Sequence, residues 1–253
     1  MTATEPTQLM LGKLNPGHIG LFLDVDGTLL DIAPRPDQVE VKASLLDDLA
    51  LVELALGGAV ALISGRPIAE LDRLFAPLSL RASGVHGAEF RRRPEGGIVM
   101  LADGRLSGVA WDALGQLLGE YPGSYAENKG VSFAVHYPHP GTEIPHLKRD
   151  LARLMDQIAA SGQELRLIAG HAVFEIQVKG FDKGHAIRRF MKGKPFSGRR
   201  PIFIGDDEID RAGFDTAVAL GGLALSVGGK FPGVSGTFTG PDAVRAWLHE
   251  IAR

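Results

Sequence analysis

The segment Leu21-Phe-Leu-Asp-Val-Asp-Gly-Thr-Leu-Leu30 limits the fold more than any other part of the chain. Ile19–Val25 is an apolar run suited to a strand buried on both faces, the condition of a strand inside a parallel sheet. Residues i and i+2 of a strand share a face, so Asp24 and Asp26 leave its carboxyl end toward one place, just before Gly27. Open α/β sheets bind their ligands beyond that end of the strands. Two unpaired carboxylates so close repel each other unless a proton or a cation holds them. The segment therefore predicts a metal-assisted site on a parallel sheet, in which one aspartate attacks and the other handles protons.

The flanking sequence agrees. Lys42–Leu56 has helical periodicity and stops at Gly57-Gly58. Ala59–Ile63 is a short apolar strand, Pro67–Phe75 a short helix with proline in its first turn, and Leu80–Val85 a third strand. Strand–helix alternation predicts an α/β fold with helices on both faces of a parallel sheet. The middle of the chain changes character. Leu106–Leu118 reads as a helix, and Ser124–Glu127 and Val131–Tyr137 as strands joined tightly at Asn128-Lys-Gly130. Thr142–Ala160 is a longer helix, and Glu164–Ile168 and Ala172–Val178 form a second hairpin around Ala169-Gly-His171. Helix–strand–strand, given twice, is an α+β module with an antiparallel sheet. The first pattern then returns: helix Lys183–Met191, strand Pro201–Gly205, helix Glu208–Ala217, strand region Val218–Val227 and a terminal amphipathic helix, Asp242–Ala252. The expected organisation is a core domain of residues 1–90 and 179–253, interrupted by a cap domain of residues 91–178. Arg91-Arg-Arg93, near the junction, reads as a solvated surface turn.

Composition narrows the partners. A formal charge of −3 lacks the basic footprint of a nucleic-acid binder. There are no cysteines, which excludes disulfides and thiolate metal sites and suits a reducing, cytoplasmic setting. Met1–His18 has no basic-then-apolar leader pattern, and the longest apolar stretch, Leu54–Ile63, is too short to span a bilayer. The expectation is a soluble protein without nucleic-acid, membrane or obligate protein partners.

Four groups fall at the ends of predicted core strands or at the start of a core helix: Asp24 with Asp26, Ser64-Gly65-Arg66, Lys183, and Asp206-Asp207 with Asp210 a turn further on. Singly, each has an ordinary reading. Asp-x-Asp-Gly occurs in turns, Ser-Gly-Arg in strand-to-helix turns, and paired aspartates cap helices. Together they suit phosphoryl transfer. A carboxylate can attack phosphorus, and a second can protonate the leaving alkoxide and then deprotonate water. Hard oxygen ligands recruit Mg²⁺, and a serine hydroxyl with a lysine ammonium can hold phosphate oxygens.

These residues resemble the haloacid-dehalogenase-type phosphohydrolases. Asp24-Val-Asp-Gly-Thr28 is similar to that superfamily's first motif, Ser64 to its second, Lys183 to its third and Asp206-Asp207 to its fourth. The resemblance implies a Rossmann-like core with an inserted cap of the second class, Asp24 as nucleophile and Asp26 as general acid and base. It also implies Mg²⁺ held by Asp24, the Asp26 carbonyl and the fourth-motif Asp206, with Asp207 beside it in the metal set. Within the superfamily, Ser64-Gly-Arg66, Gly84-Val-His-Gly-Ala-Glu89, Glu127-Asn-Lys-Gly130, His136-Tyr137, Glu175 and Gly205-Asp-Asp-Glu-Ile-Asp210 resemble successive trehalose-6-phosphate phosphatase motifs. That match implies that Glu127, Lys129 and Glu175 of the cap bind sugar hydroxyls, alongside Ser64, Gly65 and Arg66 in substrate binding. The chain departs from the family pattern at Pro138, after His-Tyr, and at Ile209-Asp-Arg211. Those departures bear on which sugar phosphate is used, so sucrose phosphate, glucosylglycerol phosphate and mannosyl-3-phosphoglycerate stand as alternative substrates. A sugar-phosphate-binding module without turnover is the competing reading of another class.

Overall fold

The computed structural model describes residues 15–32, 39–101, 108–129, 132–138, 143–159, 164–170 and 172–253. The expected Leu106–Ser107, Gly130–Val131, Thr142, Ala160 and His171, and Met1–Leu14 of the amino-terminal stretch, lie outside those residues. In chain order the first elements are β1 (Ile19–Leu23), α1 (Ala43–Ala55), β2 (Val60–Ile63), α2 (Ile68–Leu74), β3 (Arg81–Gly84), β4 (Glu89–Arg91) and β5 (Val99–Met100). Next come α3 (Gly108–Leu118), β6 (Tyr125–Asn128), β7 (Ser132–His136), α4 (Ile144–Ala159), β8 (Leu165–Gly170) and β9 (Val173–Val178). The last are α5 (Lys183–Met191), β10 (Arg200–Gly205), α6 (Arg211–Ala219), β11 (Leu223–Val227), β12 (Gly236–Phe238) and α7 (Pro241–Ile251). By internal contact the chain divides into two compact units, Met1–Val99 with Asp182–Arg253, and Met100–Phe181.

The larger unit is built on an eight-stranded sheet in the order β12-β11-β10-β1-β2-β3-β4-β5. β1 lies parallel to both β10 and β2, and every residue of β1 is buried, as its unbroken apolar run requires. The parallel pairing continues through β11 and β12 on one side and β3 on the other. Alternate residues of β1 and β10 face opposite helix layers. Phe22 packs near Phe190 of α5 (ring centroids 6.0 Å apart) and Phe203 against Phe214 of α6 (5.4 Å). On the other face Leu21 and Ile202 line a small cavity with Leu56, which ends α1, and Trp247 of α7. Among the described residues no helix is long and apolar enough to cross a membrane.

Three differences from the sequence reading have clear causes. The sheet gains an antiparallel extension, since β4 folds back on β3 after a tight turn at Val85–Gly87. Val218 and Ala219 finish α6 and do not begin a strand, for β11 starts only after Gly221-Gly222. Arg91 is not a solvated turn residue. It is 5% exposed, and its guanidinium donates twice to the Leu80 carbonyl and once to Asp72, while Arg92 and Arg93 are exposed.

The smaller unit is a four-stranded antiparallel sheet, β6-β7-β9-β8, with α3 and α4 on one face. Leu114, Leu147 and Leu151 from the helices meet Phe133, Val135, Phe174 and Ile176 from the sheet. The opposite face carries the alternate residues, and the register sets Glu127 opposite Ala134 and Ala134 opposite Glu175.

Candidate active site

β1 delivers Asp24 to the carboxyl end of the sheet, and the Asp24 N–H still bonds to the Ile204 carbonyl of β10 (2.9 Å), so the backbone there is held. The chain then coils into a turn in which the Val25 carbonyl accepts from Leu29 and Leu30. Gly27 takes a left-handed φ of 77°, and a Cβ there would lie 2.1 Å from an Asp206 carboxylate oxygen. Only glycine fits a turn pressed this closely on the end of β10. Thr28 bridges the two segments, its hydroxyl 3.4 Å from Asp24 and 3.5 Å from Asp206.

Lys183 opens α5, whose cap is Asp182 accepting from the His185 N–H (2.6 Å). Its ammonium lies 2.5 Å from Asp24 Oδ1 and 2.5 Å from Asp210 Oδ1, and all three side chains are buried. Asp210 also accepts from the N–H groups of Asp206 (2.8 Å) and Asp207 (3.2 Å), while the Asp207 carboxylate accepts from Ile209. This reciprocal capping fixes the turn after β10 and aims Asp206 toward Asp24. Carboxylate oxygens of Asp24, Asp206 and Asp210 all lie within 4.8 Å of one another.

The charges explain the titration. One ammonium faces three carboxylates in that group, an excess of two negative charges. Burial pushes Asp24 well above the usual range against the pull of Lys183, and the Asp210 and Asp206 carboxylates add to the rise. Burial and then Asp210 push Asp206 up to about 6 and Asp207 up to about 7. Burial pulls Lys183 down, but Asp210 and Asp24 outweigh it and hold the ammonium well above its ordinary value. A divalent cation would cancel the excess, and an all-carboxylate donor set suits a hard ion of that charge. The residues therefore fit a metal.

Asp26 has a partner of its own. Arg66 grips it in a two-pronged pair, Nε and Nη2 each 2.7 Å from a carboxylate oxygen. Burial alone would lower Arg66, but this pairing raises it. Ser64, 1% exposed at the end of β2, accepts the Arg66 N–H (3.1 Å). In the larger unit Asp24, Lys183, Asp206 and Asp207 thus form one group with Asp210, and Asp26, Arg66 and Ser64, with Gly65 between the last two, form a second. Glu127, Lys129 and Glu175 form a cluster of their own in the smaller one. Lys129 Nζ donates to Glu175 Oε1 (3.1 Å), and His136, 3.7 Å from Glu127, holds that carboxylate below its usual range. Tyr125 stacks on His136 with ring centroids 4.7 Å apart.

The sequence places Thr28 and Asp210 within the resembling motifs but gives neither a role. The Asp207-x-x-Asp210 spacing is a capping-box pattern and was the available signal for the latter.

A parallel sheet with an Asp-x-Asp-Gly turn on β1, a lysine at a helix start and an acidic turn after the adjacent strand defines the class: a haloacid-dehalogenase-type fold. The C-terminal domain of Candida albicans trehalose-6-phosphate phosphatase superposes with a TM-score of 0.80 at 20% identity, covering 100% of this chain and 99% of that one. A Bacteroides thetaiotaomicron phosphatase of the haloalkanoate (HAD) superfamily superposes at 0.61 and 15% identity, covering 94% of this chain and 97% of that one. The family model for trehalose-phosphatase matches residues 22–228. Trehalose-6-phosphate phosphatase of Escherichia coli K12 is 40% identical over 233 residues, 91% of this chain and 85% of that protein. A probable trehalose-phosphate phosphatase of Sinorhizobium fredii is 36% identical, over 92% of this chain and 87% of its own length. The chain belongs to the trehalose-phosphatase family.

Proposed function

We propose that this protein is a phosphatase that hydrolyses trehalose 6-phosphate to trehalose and phosphate with the help of Mg²⁺. The observation that carries the chemistry is the buried Asp24 carboxylate held between Lys183 and the Asp206 turn. Asp24 attacks phosphorus, the bond from phosphorus to the sugar oxygen breaks, and that oxygen leaves with a proton from Asp26. The product on the protein is an aspartyl phosphate. Water then loses a proton to Asp26 and attacks phosphorus, releasing phosphate and restoring the Asp24 carboxylate. Mg²⁺, when bound, neutralises charge between an anionic nucleophile and an anionic substrate. Asp24, the main-chain carbonyl of Asp26 and Asp206, with Asp207 beside it, would hold it. Ser64, Gly65, Arg66 and Lys183 take the phosphate oxygens; Arg66 gives up its pair with Asp26 to do so, which leaves that carboxyl free to carry the proton. Asp210, already engaged by Lys183 and two N–H groups, holds the lysine and the turn in place.

Glu127, Lys129 and Glu175 read the sugar, since carboxylates accept from hydroxyls and an ammonium donates to them. The reaction is that of a cysteine-free enzyme in the cytoplasm acting on a small sugar phosphate, with no need of nucleic acid or membrane. Phosphate and trehalose should both appear from trehalose 6-phosphate, and chelation of divalent ions should stop the reaction. Faster release from sucrose phosphate, glucosylglycerol phosphate or mannosyl-3-phosphoglycerate would move the substrate but keep the chemistry. No release from any ester would leave a binding module.

A further inference from the structure

The turn that follows β3 is strained at a place the chemistry above does not use. Val85 and His86 adopt φ of 46° and 53°, and Gly87 follows at 106°. A β-branched residue in the left-handed region is an outlier. Such residues persist only where the surroundings over-determine them, and they cluster at functional sites.

The surroundings here are the two segments that carry Ser64 and Lys183. The Val85 N–H donates to the Arg66 carbonyl (3.1 Å) and the His86 N–H to the Ser64 carbonyl (3.0 Å), so the residues on both sides of Gly65 are fixed. In an extended strand successive N–H groups point to opposite edges. Val85, at φ 46°, leaves the extended conformation, and both N–H groups reach the same loop. The His86 ring, 5% exposed, covers Gly65 so closely that a Cβ there would lie 2.5 Å from its Cε1 and Nε2. The far end of the turn meets the other segment: a Cβ on Gly87 would lie 2.6 Å from the Asp182 carbonyl oxygen. Asp182 caps the helix whose first residue is Lys183.

We propose that His86 is a positioning residue for the phosphate grip. The turn it centres sets the Ser64–Arg66 loop at a defined spacing from the first turn of α5, and its ring keeps Gly65 from shifting. This rests on the reading of Ser64, Gly65 and Lys183 as groups that hold phosphate.

The test compares wild type with His86→Ala and His86→Asn, asparagine being a residue that tolerates the left-handed backbone. With Mg²⁺ present, three things are measured: inhibition by inorganic phosphate, and KM and kcat on trehalose 6-phosphate and on a small aromatic phosphate ester. The phosphate end is common to both esters, so the inhibition constant and both KM values should rise together and by the same factor. A purely structural role would reduce the amount of active enzyme, lowering kcat with KM and the inhibition constant unchanged, and that result overturns the inference. Loss of the folded protein in both variants makes His86 a folding residue and also overturns it. Failure of the underlying reading shows elsewhere: wild type would release no phosphate from either ester or ignore added phosphate.

Discussion

Lys183 is the residue on which most of the site's electrostatics converge, because its ammonium is the one cation within 2.5 Å of both Asp24 and Asp210 among the described residues. Lys183→Met keeps the aliphatic stem but strips the buried carboxylates of their counter-charge. Breaking a buried pair in this way costs about 3–5 kcal/mol. Urea denaturation of the metal-free variant should show that loss, and added Mg²⁺ should return part of it. An unshifted midpoint would mean that the carboxylates are neutral without the lysine. Asp24→Asn removes the proposed nucleophile while preserving shape, so phosphate release should fall to background on every ester tested. The placement of Asp24, Asp26, Ser64, Lys183 and Asp206 at strand ends or a helix start was legible in the sequence because motif spacing there dictates where side chains go. Arg91 was not, since three arginines in a row look alike until Leu80 and Asp72 select one for burial.

Two short elements have outsized effects. The turn after β10 exists because Asp210 gathers the N–H groups of Asp206 and Asp207, and it sets the direction of Asp206. Asp210→Ala should therefore weaken Mg²⁺ binding about 10- to 100-fold, as loss of an outer partner of a ligand does; titration calorimetry reads it directly. In the smaller unit, the sheet face bearing Glu127 and Glu175 is polar while its reverse is packed with Phe133, Phe174 and Ile176. Glu127→Ala should spare a small aromatic phosphate ester and cut kcat/KM on trehalose 6-phosphate by about tenfold or more, the scale of a lost hydrogen bond to a charged group. Equal losses on both esters would remove Glu127 from sugar recognition. Helices and buried strands were readable from apolar periodicity. The β4–β5 edge was not: its strands are short, and β5 is exposed, so neither buries a pattern long enough to see.

For the molecule as a whole, the acidic site makes stability depend on pH in an unusual direction. Asp206 and Asp207 stand at about 6 and about 7 in the folded chain against an ordinary 3.8. The folded state then binds more protons than the unfolded one across that window, so this contribution is present at low pH and is lost as pH rises through 6 and 7. Metal-free protein should show a falling Tm between about pH 5 and 8. Mg²⁺ would bind the ionised carboxylates, so its stabilising effect should grow over the same range. A Tm rising with pH under chelation would refute the assignment. The α/β class was evident from strand–helix alternation; which carboxylates gather together depended on turns whose hydrogen bonds leave no periodic trace.

The ion pair between Asp24 and Lys183 joins residues 159 apart in sequence, with the entire smaller unit lying between them. A ribosome therefore releases the nucleophile long before the ammonium that balances it. The intervening unit is one continuous stretch of chain, whereas the main sheet must wait for β10 to lie beside β1. A nascent chain stopped short of residue 183 therefore holds the Asp24 carboxylate without the ammonium that faces it in the folded protein.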